Sequence, residues 1–445
     1  MLSSHRPGRR SRSWFAQSRV RPAMFAWVLP LFLSLCVAAQ NIAPVITVDH
    51  GPNDPAQQAK PYVVMVSLDG FRYDYAKKYG ARHLLALGAE GAFASQGMIP
   101  SYPSLTFPNH YTLVTGLYPE HHGIVANSFY DPVRKQRYSY TDPATNRDGS
   151  WYGGTPLWVL AEKQGMRSAC FFWPASEAEI DGMRPTYYLN FDNHFPDEKR
   201  IDQVLAWLRL PAAQRPHFIT LYYSNVDHAG HQYGPESEQT IAAVAHVDQL
   251  IAELWAGLGR LQLPIDLIVV SDHGMEREQG TWIDLDKFTD LTNFTTVGSL
   301  LYPDSDAAAE KAYQELKIKS DAFTVYRRKR VPATFDYDSN PREGDPVIVA
   351  NGPYAIRAHP PAPGAPDNPP EMGAHGFDPL VIKSMRAFFL AVGPDIRPGT
   401  TLEPFQNVNV YPLVAKILGL NPPRVDGNLH VLSKILKNPP LEEEP

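Results

Sequence analysis

Cysteine is nearly absent from this 445-residue chain, which contains only Cys36 and Cys170. Cys36 lies in an N-terminal segment that we expect to be removed, so the mature chain would keep one cysteine and could form no intramolecular disulfide. Stability must then come from a hydrophobic core and, we expect, from bound metal. The 44% hydrophobic content is sufficient for such a core and excludes a disordered chain.

The N-terminal segment lacks an apolar run long enough for a membrane span, because its hydrophobic stretch covers only residues 24–37. Six arginines precede this stretch and the small residues Ala38 and Ala39 end it, which is typical of a signal peptide at residues 1–39. An uncleaved membrane anchor is the alternative, because the basic part is long. We therefore predict a periplasmic or secreted protein with a linker at residues 40–60 and no membrane span after processing.

Positive charge is scarce once residues 1–39 are set aside. Without their six arginines, 35 basic side chains stand against 47 acidic ones, and the formal net charge is −12. This excludes a general nucleic-acid-binding surface. The basic run at residues 327–330 is interpreted as solvated surface. Nothing in the sequence indicates more than a monomer.

Apolar runs of strand length end abruptly at polar residues, which predicts a buried, mostly parallel sheet. Between them lie helical patterns such as residues 237–255, so the fold class is an α/β sandwich, a central sheet covered by helices. The predicted strands are residues 62–68, 167–173, 218–223, 265–270 and 387–392.

A stretch rich in Pro, Asp and Gly interrupts this alternation and predicts an inserted small subdomain at residues 281–369. The sheet is expected to resume near Val381. The other predicted parts are the catalytic α/β domain at residues 61–280 and 370–432, its closing helix at 407–420, and a C-terminal tail at 433–445.

Three carboxylates lie just past the ends of predicted strands: Asp69, Asp227 and Asp272. In an open parallel sheet, ligands bind beyond the carboxyl ends of the strands, so these three acids are expected at one edge.

Histidines accompany these acids at spacings that suit zinc, which takes three or four oxygen and nitrogen ligands. His231 lies one helical turn after Asp227, His273 is adjacent to Asp272, and His375 is flanked by glycines. Each element alone also fits a surface pair or a simple turn. Their joint placement after α/β strands favours a metal site.

Thr106 is the candidate nucleophile. Pro108 suits the first turn of a helix that would run to a stop at Gly116. Thr106 would then lie at a helix N-terminus, where backbone N–H groups and the helix dipole favour an anion. The alternative is a threonine that only caps the helix.

Taken together, five motifs in order resemble the nucleotide pyrophosphatase/phosphodiesterase family of the alkaline phosphatase superfamily, in its bacterial type. The resemblance spans about residues 61–430. The motifs are residues 66–72 (VSLDGFR), 106–110 (TFPNH), 116–124 (GLYPEHHGI), 227–231 (DHAGH) and 271–275 (SDHGM).

The resemblance implies two zinc ions per chain and a covalent phosphothreonine intermediate. The first zinc would be held by Asp227, His231 and His375. The second would be held by Asp69, Asp272, His273 and the oxygen of Thr106. The Asn127 side-chain amide would steady a phosphate oxygen.

The sequence segments around Thr106 and Asn127 carry uncharged side chains. This favours a phosphodiester as the substrate, since a monoester dianion calls for extra positive charge. His110 stands where related sulfatases carry arginine, which excludes that class. Phe107, Tyr187 and Tyr222 are expected to form a slot that stacks a flat base, with ordinary core packing as the alternative.

The leading prediction is therefore a zinc-dependent hydrolase of phosphodiester and pyrophosphate bonds in nucleotides that releases a nucleoside 5′-monophosphate. The alternatives are a choline-type phosphodiesterase acting on lysophospholipid or glycerophosphocholine, a phosphomonoesterase, and a non-enzymatic zinc-binding protein. His110, His121 and His122 are interpreted as packing groups, and His228 as solvent-facing.

Overall fold

The computed structural model describes residues 43–318 and 320–439 of the chain. The predicted signal peptide lies outside these residues, as does the end of the predicted tail. The α-helices are α1 (Tyr75–Tyr79), α2 (Arg82–Glu90), α3 (Thr106–Thr115), α4 (Pro119–His122), α5 (Pro143–Asn146), α6 (Leu157–Lys163), α7 (Asp197–Leu208), α8 (Asn225–Tyr233), α9 (Glu238–Gly259), α10 (Asp306–Leu316) and α11 (Val410–Leu418).

The strands form one large sheet and several two-stranded ribbons. They are β1 (Ile46–Thr47), β2 (Tyr62–Leu68), β3 (Ala92–Phe93), β4 (Met98–Ile99), β5 (Ser128–Asp131), β6 (Gln136–Ser139), β7 (Ser168–Phe171), β8 (Tyr187–Tyr188), β9 (Phe218–Tyr223), β10 (Ile265–Val270), β11 (Glu276–Arg277), β12 (Gln279–Asp284), β13 (Phe294–Val297), β14 (Leu300–Pro303), β15 (Phe323–Tyr326), β16 (Val347–Ala350), β17 (Tyr354–Arg357), β18 (Gly373–Ala374), β19 (Phe389–Val392), β20 (Thr400–Thr401) and β21 (Phe405–Gln406).

The central sheet has the order β1-β8-β7-β9-β2-β10-β19-β3-β20. Five of its eight neighbouring pairs are parallel, which confirms the mostly parallel sheet. The predicted strand at residues 387–392 belongs to it as β19, but it runs antiparallel to β10.

Both faces of this sheet are covered, because alternate side chains of each central strand enter different hydrophobic clusters. In β2, Val63 and Met65 pack in one cluster, whereas Val64 and Val66 pack in the other. Helices α3, α6 and α11 contribute to the first cluster, and α1, α2, α7 and α9 to the second. This confirms the α/β sandwich.

Helix α9 is apolar and long enough to cross a membrane by length and composition alone. However, Val247, Leu250 and Ile251 are buried and pack in the second hydrophobic cluster. It is therefore placed as the core helix of a globular fold, and it matches the helical pattern predicted at residues 237–255.

Two strand predictions were wrong in their bounds. The sheet does not resume near Val381, whose side chain is 71% exposed in a loop, but at Phe389. The strand predicted at residues 167–173 ends at Phe171, because Phe172 turns the backbone into the left-handed region with φ 63°.

Residues between 283 and 358 have a small hydrophobic cluster of their own, centred on Leu285, Leu301 and Phe323. The basic run at residues 327–330 begins with Arg327, which pairs with three acids of the same region, Asp306, Glu310 and Asp345. The charge of Arg327 is therefore balanced by acids of the same region. The bounds 281–369 of an inserted subdomain stay a prediction.

The residue before helix α2 provides no side-chain cap, and a carboxylate from α9 caps the helix instead. The buried Asp248 accepts hydrogen bonds from the backbone N–H groups of His83 at 3.3 Å and Leu84 at 2.8 Å. It also contacts the His83 ring at 2.8 Å. Free N–H groups at a helix start need such a partner, so Asp248 joins the two helices.

We predict that Asp248→Ala lowers the free energy of unfolding by about 2–3 kcal/mol, because it leaves charge-assisted hydrogen bonds unmade in a buried place. Urea unfolding of the full chain measures this. Gln249→Ala, a change at the next, exposed position of α9, is the control and should cost much less. Equal losses in the two variants would contradict the role given to Asp248.

Candidate active site

The three predicted acids lie together at the carboxyl ends of β9, β2 and β10, which are neighbours in the sheet. Their backbones are linked: the N–H of Asp69 donates to Tyr223 O at 2.9 Å, and the N–H of Asp227 donates to Asp69 O at 3.1 Å. The N–H of Gly70 donates to Asp272 Oδ1 at 3.2 Å. The sheet register therefore brings the three carboxylates to one place.

Gly70 allows two of these acids to approach each other. Its φ is +66°, and a Cβ built on it would lie 2.8 Å from Asp227 Cα. Any other residue would push the Asp227 backbone away from Asp69.

Three imidazoles are oriented in the same way around these acids. The Nδ1 atoms of His231, His273 and His375 lie 2.9 Å, 2.9 Å and 3.0 Å from the backbone oxygens of Gly373, Gly274 and Ser104, respectively. A carbonyl oxygen can only accept, so each Nδ1 carries a proton and each Nε2 is left to face the acids. Metal-ligating histidines have this arrangement.

The first ligand group consists of Asp227, His231 and His375. The two Nε2 atoms are 3.0 Å apart, and Asp227 Oδ1 lies 3.3 Å from His231 Nε2 and 3.6 Å from His375 Nε2. Two lone pairs and a carboxylate oxygen at these distances repel one another unless a cation lies among them.

The second group consists of Asp69, Asp272, His273 and Thr106. His273 Nε2 lies 2.9 Å from Asp272 Oδ2, 3.6 Å from Asp69 Oδ1 and 3.2 Å from Thr106 Oγ. All the metal ligands predicted from the sequence are thus brought into two adjoining groups.

The donor set fits divalent metal, because one oxygen of each acid is buried with no hydrogen-bond partner in the described part of the chain. These are Asp69 Oδ1, Asp227 Oδ1 and Asp272 Oδ2. The other oxygens of Asp69 and Asp272 accept from Tyr222 Oη at 2.6 Å and from Gly70 N. Buried carboxylate oxygens without donors are costly unless they coordinate a cation.

Electrostatics point the same way. Burial and the charges of Asp272 and Asp227 raise the pKa of Asp69 well above its usual range. Burial and the charge of His273 lower the pKa of His375 to about 3, which favours its neutral, ligating form. Despite burial, Asp227 raises the pKa of His231 to about 11 and Asp272 raises that of His273, so these two imidazoles take up a second proton where nothing else neutralises the carboxylates. A cation would relieve the carboxylate repulsion and keep the imidazoles neutral.

Thr106 is the first residue of α3, as predicted, and the helix ends at Gly116 with φ 68°. The residue before it, Leu105, provides no side-chain cap. Instead, Asn127 Oδ1 accepts from the backbone N–H of Phe107 at 2.9 Å, which leaves the Nδ2 hydrogens of Asn127 available to a ligand. The Thr106 hydroxyl, the N-terminus of α3 and the Asn127 amide therefore lie next to one another.

Among the other histidines, His110 adjoins the second group, with Nδ1 3.3 Å from Asp272 Oδ2, and could form a metal-binding set with Asp69 and Asp272. His110 uses both ring nitrogens, since Nε2 lies 2.8 Å from Ser67 Oγ and Nδ1 lies 2.9 Å from Thr106 O. His122 is buried against Thr112. His121 pairs with Asp426, and His228 is exposed.

A cavity of about 900 Å³ opens over the two ligand groups. Phe107, Asn127 and Tyr222 line it as expected. Tyr187 does not: its ring stacks on Trp207 and its hydroxyl donates to Gln214 O, outside the lining of this cavity. The expectation that Tyr187 belongs to the aromatic slot is therefore corrected.

Other aromatic residues line the cavity that the sequence did not point to. They are Tyr140, Phe172, Phe191 and Trp282, together with the acids Glu278 and Glu371. Tyr140, Phe172 and Phe191 lie just after strands or in loops, and Trp282 lies in β12, a strand of a two-stranded ribbon outside the central sheet, so no spacing marks them. Phe191, four residues after Tyr187, lines the cavity in place of that tyrosine.

The fold and the site define an α/β protein of the alkaline-phosphatase-like class with a candidate centre for divalent metal. Residues 63–378 match the family described as type I phosphodiesterase / nucleotide pyrophosphatase. The chain therefore belongs to this nucleotide pyrophosphatase/phosphodiesterase family.

Individual relatives agree with this assignment. Human ectonucleotide pyrophosphatase/phosphodiesterase family member 1 is 35% identical over 416 residues, which covers 87% of this chain and 43% of the human protein. An uncharacterised pyrophosphatase/phosphodiesterase of Schizosaccharomyces pombe is 36% identical over 387 residues, covering 80% of this chain and 77% of the relative. This chain thus spans less than half the length of the human protein.

Among solved structures, murine ectonucleotide pyrophosphatase/phosphodiesterase 5, in an inactive form in complex with AMP, superimposes with a TM-score of 0.79. It is 29% identical, and the match covers 85% of this chain and 100% of the murine one.

We predict that His375→Ala weakens binding of divalent metal at least about tenfold, because it removes a ligand and not only its support. Metal per chain after dialysis against a weak chelator, measured by plasma mass spectrometry, tests this. His228→Ala, an exposed histidine of α8, is the control. Equal metal retention in wild type and His375→Ala would refute the ligand group.

Proposed function

We propose that this protein is a zinc-dependent hydrolase of phosphodiester and pyrophosphate bonds in nucleotides, which releases nucleoside 5′-monophosphate through a phosphothreonine at Thr106. One observation carries the proposal. The Thr106 hydroxyl starts a helix and lies 3.2 Å from His273 Nε2, in a group of carboxylate oxygens that have no other partner.

The residues divide into two ligand sets for two metal ions per chain. Asp227, His231 and His375 would hold one ion. Asp69, Asp272, His273 and Thr106 would hold the other. When bound, two zinc ions supply Lewis acidity that lowers the pKa of the hydroxyl and stabilises charge on the leaving oxygen.

The chain's own groups then carry out two displacements. Thr106 Oγ gives its proton to solvent water and bonds to phosphorus, while the bond to the leaving oxygen breaks; that oxygen departs with the electron pair and takes up a proton from solvent, so no net proton is gained or lost. Water next bonds to phosphorus and loses a proton, the bond to Oγ breaks, and Thr106 regains its proton. The N-terminus of α3 and the Asn127 amide stabilise the phosphate oxygens in both steps.

The charge of the cavity favours diesters over monoesters. The only lysine or arginine in its described lining is Arg147, whose Nε lies 2.5 Å from Glu177. A monoester dianion would find no free guanidinium there, whereas a diester monoanion needs none.

Aromatic side chains near Thr106 support a nucleotide as the retained part of the substrate. Phe107 packs against Tyr140 with ring centroids 5.3 Å apart, and Phe191, 47% exposed, packs against Phe172 at 5.4 Å. Exposed rings in one cavity offer stacking surfaces to a flat base. The murine relative that binds AMP fits this assignment.

We also propose that the protein acts outside the cytoplasm, in the periplasm or after secretion. The N-terminal sequence pattern supports export. Relatives are named ectonucleotide enzymes and venom phosphodiesterases. Residues 281–369 are proposed to form an inserted part whose first strand supplies Trp282 to the cavity.

We expect Thr106→Ala to reduce hydrolysis at least about 10³-fold while metal stays bound, because the nucleophile is lost and most ligands remain. Thr106→Ser keeps a hydroxyl and should retain part of the activity. Turnover of the nitrophenyl ester of thymidine 5′-monophosphate, alongside metal content, is the measurement. Full activity in Thr106→Ala would exclude a phosphothreonine.

Substrate ranking tests the rest of the proposal. The nitrophenyl ester of thymidine monophosphate should exceed nitrophenyl phosphorylcholine and nitrophenyl phosphate in kcat/KM, because only the nucleoside can stack on the aromatic rings. Exclusive cleavage of the choline ester would establish the choline-type alternative. Preference for nitrophenyl phosphate would establish a phosphomonoesterase.

A further inference from the structure

His110 is a buried histidine of α3 that the proposed mechanism does not use, although it lies one helical turn after Thr106. Its Nδ1 atom lies 2.9 Å from the backbone oxygen of Thr106, and its Nε2 atom lies 2.8 Å from Ser67 Oγ. A carbonyl oxygen can only accept, so Nδ1 donates to Thr106. In a neutral ring Nε2 is then an acceptor, and the Ser67 hydroxyl donates to it. His110 therefore joins the residue of the proposed nucleophile to a second element.

This second element is β2, which lies between β9 and β10 in the central sheet. Ser67 is a buried residue of β2, two positions before Asp69 of the second ligand group. At the other end of the link, Thr106 begins α3 and contacts His273 of the same group. The two hydrogen bonds of the His110 ring thus connect the start of α3 directly to the strand that leads to Asp69.

Aromatic neighbours hold the His110 ring in this place. Trp173 and Tyr222 pack against it edge-on, with ring centroids 5.1 Å and 5.3 Å away. Trp173 Nε1 also donates to the backbone oxygen of His110 at 3.2 Å, and Tyr222 Oη donates to Asp69 Oδ2 at 2.6 Å. A ring fixed by hydrogen bonds on both nitrogens and by packing on two sides keeps its neighbours at a set distance.

The hydrogen bonds of His110 suit a ring that holds Thr106 in place better than a metal ligand. Nδ1 also lies 3.3 Å from Asp272 Oδ2, so the ring adjoins the second ligand group. However, a metal takes a lone pair from a ring nitrogen. In His110, Nδ1 carries the proton donated to Thr106, and the lone pair of Nε2 accepts from Ser67.

We propose that His110 is a positioning residue, which fixes the Thr106 hydroxyl beside the second ligand group through its hydrogen bond to the Thr106 carbonyl. This proposal rests on the proposed function. Asn127 holds the N–H side of the first turn of α3, and His110 holds the carbonyl side. In-line attack on phosphorus needs Oγ in one place, and a misplacement of about 1 Å costs on the order of 10²-fold in rate.

Two amide variants separate the roles of the two ring nitrogens, because the amide of asparagine lies near the Nδ1 position of histidine and that of glutamine near the Nε2 position. His110→Asn keeps a donor for the Thr106 carbonyl, whereas His110→Gln reaches Ser67 and leaves the carbonyl without this donor. The measurements on metal-loaded full-length protein are kcat and KM with the nitrophenyl ester of thymidine 5′-monophosphate, metal per chain after dialysis, and the urea unfolding midpoint.

We expect His110→Gln to lower kcat on the order of 10²-fold, because the Thr106 hydroxyl is no longer held in line. KM should change less than about threefold and metal per chain should not change, since the groups that contact the nucleoside and the metal remain. His110→Asn should keep kcat within about tenfold of wild type, because the donor to the carbonyl is retained.

His122→Gln is the matched control. His122 is also a buried histidine packed against α3, with Nε2 3.0 Å from Thr112 Oγ, but it does not contact Thr106. This variant should lower the urea midpoint about as much as His110→Gln does and leave kcat near the wild-type value. A loss of stability alone would therefore not reproduce the expected fall in kcat.

Ser67→Ala tests the other end of the link and removes only one hydroxyl group from the core. The ring loses its hold on β2 while its bond to Thr106 remains, so we expect kcat to fall about three- to tenfold, as for one hydrogen bond, with KM and metal content unchanged. This variant decides the proposal if neither His110 variant folds.

The possible outcomes are distinct. Equal kcat in His110→Asn and His110→Gln, or an equal fall in His122→Gln, overturns the positioning role while the hydrolase proposal stands. Loss of metal from the His110 variants shows that the ring is a ligand and also overturns it. If these variants do not fold, a wild-type kcat in Ser67→Ala overturns it. Absence of hydrolysis by the wild type overturns the proposed function itself.

Discussion

Repulsion among three buried carboxylates is the constraint on which the rest of this structure depends. The parallel pairing of β9, β2 and β10 places Asp227, Asp69 and Asp272 at one edge, and each has an oxygen without a hydrogen-bond donor. Such a cluster is costly unless protons or a cation neutralise it, so the pairing of these strands creates a place suited to a divalent metal. The surrounding backbone supports this requirement by fixing each nearby imidazole through its Nδ1.

The same constraint bears on the position of Thr106, the proposed nucleophile. The second ligand group has two acids and one histidine, and the hydroxyl of Thr106 adjoins them at the only terminus of α3 that favours negative charge. Asn127 holds that terminus through Phe107 N, so the amide proposed to bind phosphate also fixes the helix start. The proposed nucleophile and the proposed phosphate donor are therefore held together at the start of α3.

The position of the three acids could be predicted from the sequence because they lie just past buried strands, and the apolar runs that mark β2, β9 and β10 also mark the strand ends. The aromatic side chains that line the cavity could not be predicted in this way. Tyr187 lies in strand β8 and packs on Trp207, whereas Phe191 reaches the cavity from the loop after it. The antiparallel course of β19 was equally hidden, since a strand buried on both faces has the same apolar composition in either direction.

The acids and the cavity-lining aromatic residues lie in different parts of the fold, and this difference bears on function. Asp69 and Asp272 lie at strand ends, where the register of the central sheet fixes them, so they leave little freedom for variation. Among the cavity-lining aromatic groups, Phe191 lies in a loop and Trp282 in a ribbon outside the central sheet. Loops accept substitution without loss of the core. The lining of the cavity can therefore change in this fold while the edge that carries the acids stays the same.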